Sequence, residues 1–186
     1  MATLDLTNQF LIAMPALMDP NFHQTVTYVC AHNAEGAMGI VINRPMQIEL
    51  SEVLSQMDLE PADASIGRIA VFEGGPVQRD RGFIIHRPAA QWNSTISVSD
   101  ELAVSTSRDI LQAIATGNGP QDALIALGYA GWGAGQLEQE LLQNAWLSGP
   151  VDLDILFRMP VAERWRAAAA LLGVDMASVS HEFGHA

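Results

Sequence analysis

The chain has 186 residues, 49% of them apolar, and a formal net charge of −12; the apolar residues run along the whole length, enough for one globular core and leaving no disordered tract. All nine cations are arginines, so the absence of lysine excludes Schiff-base chemistry, a pyridoxal phosphate anchor and a phosphate-binding P-loop. The acidic balance, with no basic stripe, argues against direct nucleic-acid binding. The single cysteine, Cys30, excludes an internal disulfide and suits a reducing compartment.

In chain order, short apolar or β-branched runs predict strands at 9–14, 25–31 and 38–42. The first is too short for a signal-peptide core or a membrane span, and no cation precedes Arg44; a cytoplasmic protein without membrane association is expected. Leu50, Val53, Leu54 and Met57 then fall at helical spacing. Further strands are predicted at 68–73, 82–86 and 95–98. A helix carrying Ile110, Leu111 and Ile114 follows, with Thr106 and Asp109 as its start signal and Gly117 as its stop. A strand at 123–130 leads through a glycine-rich turn into a helix with Leu137, Leu141 and Leu142, whose Glu138 and Glu140 sit near its positive end. A strand at 151–156 and a helix carrying Val161, Trp165, Ala168 and Leu172 complete the predicted order, which is that of a mixed α+β or α/β domain over residues 1–186.

Several local runs are more particular than generic core. They include Leu11 to Pro15, Tyr28 to Asn33, Glu35 to Pro45, Gly74 to Val77, Arg81 to Phe83, Ser105 to Asp109, Gly128 to Glu138, Asn144 to Leu147 and the terminal Gly184, His185 and Ala186. In this order and spacing the chain resembles the YqgE/AlgH family from end to end. The resemblance implies an α+β fold in which a branched sheet curls into a pseudo-barrel with flanking helices. It carries over no catalytic residue and no cofactor, because none is assigned in that family; a role in transcriptional regulation has been proposed for some members.

Four constellations bear on chemistry. His181, Glu182 and His185 match the H-E-x-x-H zinc pattern, but Gly184 interrupts the turn and no ligand follows downstream, so a polar tail and no bound metal are expected. Gly131, Gly133 and Gly135 lie between a strand and a helix, where Gln136 replaces the last glycine of a dinucleotide fingerprint; a tight turn is expected, with helix amides open to a small anion as the alternative. Cys30 and His32 share a face of a regular strand, so with Arg44 nearby the thiol is either activated or a buried, inert hydrophobe. Finally Asn43, Arg44, Arg81, His86 and Arg108, with Ser105, Thr106 and Ser107, stand at element ends and would form one cationic pocket if they converge. The expected function is a non-catalytic regulatory or binding domain acting through a protein partner or a small anionic ligand, and touching transcription indirectly. The competing expectation is a thiol-dependent enzyme or redox sensor built on Cys30.

Overall fold

The computed structural model describes residues 4–183, with side chains described through Val179. Within them the strands are β1 (Gln9–Ala13), β2 (Val26–Asn33), β3 (Gly36–Val41), β4 (Pro45–Glu49), β5 (Ala70–Glu73), β6 (Val77–Arg87), β7 (Thr95–Ser97), β8 (Ala103–Ser105), β9 (Asp122–Gly133) and β10 (Trp146–Pro150). The helices are α1 (Leu50–Gln56), α2 (Ala64–Gly67), α3 (Arg108–Ala115), α4 (Gln136–Leu142), α5 (Leu153–Phe157), α6 (Arg164–Ala170) and α7 (Met176–Phe183), with a 3-10 turn at Val161–Glu163 before α6. Among the described residues, no helix is long and apolar enough to cross a membrane.

The strands form one curled, mainly antiparallel sheet in the order β10-β1-β2-β3-β9-β6-β8-β7. It branches at β9. Residues 130–133 of β9 pair with β3, while residues 125–127 pair in parallel with β5, which continues to β4. Gly128, at φ +81°, marks the junction, and a Cβ there would lie 2.4 Å from the Gly75 carbonyl oxygen. Only glycine combines that left-handed backbone with that approach, which accounts for the paired glycines of the Gly74 and Gly128 runs.

Both faces of the sheet are buried, so its strands alternate between cores rather than between core and water. Phe10, Ile12, Tyr28, Phe83, Ile85, Leu124 and Ala126 meet Ile155, Leu156, Trp165, Ala168 and Met176 of α5 to α7 on the inner face. On the outer face, Val71, Ile84 and Ile125 pack beneath α1 and α3, and Leu11, Val29, Trp132 and Trp146 pack beneath α4. Helix α6 has only seven residues, too few to persist alone. It is held by the burial of Trp165, worth about 1.5–3 kcal/mol for such a side chain, and by the indole N–H donating to the Ala13 carbonyl at 2.8 Å.

Three local expectations are corrected. The run 151–156 alternates apolar and acidic residues like a strand, yet Asp152 accepts from the Ile155 amide at 3.0 Å and opens helix α5. Helix α3 starts after Ser107 rather than Thr106; Asp109 accepts from Ser107 Oγ and from its neighbours' amides, while Thr106 turns to Ser94 and Arg81. The expected strand order is corrected too: β4, β8 and β10 lie outside the predicted runs, and their pairing with β5, β6 and β1 defines them.

Candidate functional site

Cys30 lies at a β-bulge: the register of β2 on β3 slips between Val29 and Ala31. A bulge reverses the inside-outside alternation. Cys30 therefore joins Phe10 and Tyr28 in the inner core, whereas His32 emerges on the α4 side. The expected shared face does not exist. The thiol is 2% exposed, and burial pushes its pKa up to about 12. Thiolate is scarce at neutral pH under those conditions, the opposite of an activated nucleophile.

His32 is consumed by the fold. Its Nδ1 accepts from the Leu6 amide at 3.0 Å, which puts the proton on Nε2, and Nε2 donates to Glu138 in α4. That contact, first among the causes, holds the Glu138 carboxyl below its usual range. Two residues later Glu140 accepts from the indoles of Trp132 at 3.2 Å and Trp146 at 3.0 Å, and from Gln136 at 2.9 Å. Of the three turn glycines, Gly131 and Gly133 sit in β9 facing Met38 and Gly36 of β3, and only Gly135, at φ +73°, needs glycine's freedom. Two glutamates in so short a helix leave no anion site at its N-terminus.

The remaining expected residues do not converge. His86 is fully buried, its Nδ1 donating to the Pro88 carbonyl at 2.9 Å and its Nε2 accepting from Ser105 Oγ at 2.7 Å. Desolvation lowers its pKa, so it stays neutral and supplies no charge to a ligand. Arg81 stacks on Phe83 and donates to Thr106 at 3.3 Å beside an apolar groove. Arg108 reaches across from α3 to the Met57 carbonyl at 3.0 Å, tying α3 to α1.

Asn43 and Arg44 stand elsewhere, at the end of β3. Asn43 accepts from the Val26 amide and donates to the Gln24 carbonyl, both at 2.9 Å. Arg44 donates to the carbonyls of Pro20 and His23 at 2.5 and 3.0 Å. They shape one wall of a cleft of about 510 Å³ whose other wall is Val161, Ala162, Trp165 and Arg166, with His23 and Gln24 beside them. The cleft presents two guanidinium groups, an imidazole and two carboxamides, and no carboxylate lines it among the described residues. His23, Arg164 and Arg166 were missed as site residues; the Arg164, Trp165, Arg166 triplet is the signal that places cations around an anchored indole.

Of the H-E-x-x-H segment, residues 184–186 and the side chains from 180 onward lie outside the described residues. Among the described residues, no group of three or more His, Cys, Asp or Glu side chains is placed to hold a metal ion.

A branched, curled α+β sheet capped by helices, with a cationic cleft beside α6, is the class of protein these features define. The AlgH-like family model matches residues 10–177, and the chain belongs to that family. It is 60% identical to an UPF0301 protein of Thioalkalivibrio sulfidiphilus, covering 100% of this chain and 99% of the relative. It is 50% identical to YqgE of Salmonella agona, covering 98% and 100%. The solution structure of AlgH from Pseudomonas aeruginosa superposes with a TM-score of 0.81 at 51% identity, over 100% of this chain and 98% of that one.

Proposed function

We propose that the protein is a non-catalytic binding domain of the cytoplasm whose cleft between Asn43, Arg44 and Arg166 takes a small ligand bearing a phosphate or carboxylate. The observation that carries this reading is the sign of the cleft: in a chain of net charge −12 its charged lining is arginine alone. Arginine forks match both anions bidentately. Arg44 is committed to shaping the loop, and exposed Arg166 is the group left to engage a ligand. An acidic side chain of a protein partner would present the same chemistry. Any influence on transcription is then indirect, since the arginines form no stripe along which a duplex could lie.

The test is calorimetric titration of the full chain with inorganic phosphate and with citrate. Saturable binding of one of them is expected, weakened at least tenfold in Arg166→Ala, with the melting temperature unchanged. Absence of binding at millimolar concentration, or equal affinity in the variant, overturns the reading.

A further inference from the structure

Arg164, in the first turn of α6, is 5% exposed. Its Nε donates to the Met159 carbonyl at 3.0 Å and its Nη1 to the Ile42 carbonyl at 2.6 Å, and the guanidinium lies 5.3 Å from the centre of the Phe72 ring. Among the described residues no carboxylate pairs with it. Burial lowers its pKa, but a guanidinium keeps its proton at any physiological pH. The described residues therefore enclose a cation that has carbonyl and ring partners but no counter-charge, an arrangement that an incoming anion would stabilise.

Beside this group lies a pocket of about 220 Å³, lined by Phe72, Leu124, Leu156, Phe157, Val161 and their apolar neighbours, with Arg164 as its one polar residue. Two backbone bonds use two of the five guanidinium N–H groups, so Nη1 and Nη2 retain donors for the forked contact a carboxylate prefers. The volume is below the roughly 300–1,000 Å³ of sites for drug-sized ligands, which limits the occupant to a short chain. The apolar walls offer a second charge no partner, which disfavours dicarboxylates.

We propose that this pocket binds a short aliphatic monocarboxylate, its chain among Phe72, Leu124, Leu156 and Phe157 and its carboxylate on Arg164. The site is separate from the cleft of Arg44 and Arg166, which opens on the other side of the Val161 turn. Calorimetry on the full chain with hexanoate, hexanol and adipate tests it. Hexanoate is expected to bind at one equivalent, and hexanol and adipate at least tenfold more weakly. Ala70→Leu and Ala70→Phe, which place a larger side chain on the pocket wall, should each weaken hexanoate at least tenfold with the circular dichroism spectrum unchanged. Arg166→Ala should leave hexanoate affinity as it is, which separates this site from the neighbouring cleft. No hexanoate binding at millimolar concentration, equal affinity for hexanol, or full affinity in both filled variants overturns the proposal.

Discussion

The two faces of the sheet handle polar and charged groups in opposite ways. On the α4 face, Glu138 holds His32 and Glu140 holds two indoles, so each of these polar groups is answered by another from the chain. On the α6 face, among the described residues, Arg164 is buried without a carboxylate and Arg166 faces a cleft without one. The first arrangement is complete and explains the fold. The second leaves a role for a counter-ion from outside, although the chain carries 21 acidic residues that could have supplied one. Function is therefore sought where pairing stops, not where polar residues are densest.

Three measurements sharpen this contrast. The largest effect is expected from Glu140→Ala, which leaves the Trp132 and Trp146 indoles without their acceptor. Urea unfolding should show a loss of about 2–4 kcal/mol, mostly recovered in Glu140→Gln, with phosphate and hexanoate affinity unaltered. A variant that instead weakens either ligand while remaining stable would make the α4 face a functional site. Next comes Gly135→Ala, which forces a side chain into the left-handed region and should cost about 1 kcal/mol, while Gly131→Ala and Gly133→Ala stay within about 0.5 kcal/mol, because neither has a positive φ or a close contact. Equal losses at all three positions would contradict the assignment of strain to Gly135 alone.

The smallest effect concerns pH. Glu138 has a folded pKa below its unfolded value of 4.5, so as pH falls the unfolded chain takes up the proton first. The stabilisation is thus fully present above about pH 4.5 and lost below it, and it amounts to about 1 kcal/mol or less for a carboxylate so open to solvent. Melting curves of the wild type and Glu138→Gln should converge as pH drops through that window. Curves that stay parallel would remove the His32 contact from the account of α4.

Short apolar or β-branched runs made β1, β2, β3, β5, β6, β7 and β9 legible, and helical spacing did the same for α1, α3, α4 and α6. What pattern alone could not show was the bulge at Cys30. A regular strand places Cys30 and His32 on one face, and a single extra residue separates them into different cores. The convergence of Arg44 with Arg166 was illegible for another reason: it depends on how α6 returns over β1 and β2 to the segment after β3, which no local signal encodes. The expected pocket of Asn43, Arg44, Arg81, His86 and Arg108 accordingly divides, and only its first two members reach the cleft.

The branch at Gly128 has a consequence for how the molecule comes apart. Because β9 crosses that junction, Leu124 belongs to the inner core, Ile125 to the core beneath α1 and α3, and Trp132 to the core beneath α4. A strand shared by three cores ties their fates together, so none of them can open alone without stripping neighbours from the same backbone. Amide protons in the centre of β9 are thus gated by whole-molecule unfolding, while those of β7, held only by β8 at the sheet's end, exchange through local fraying.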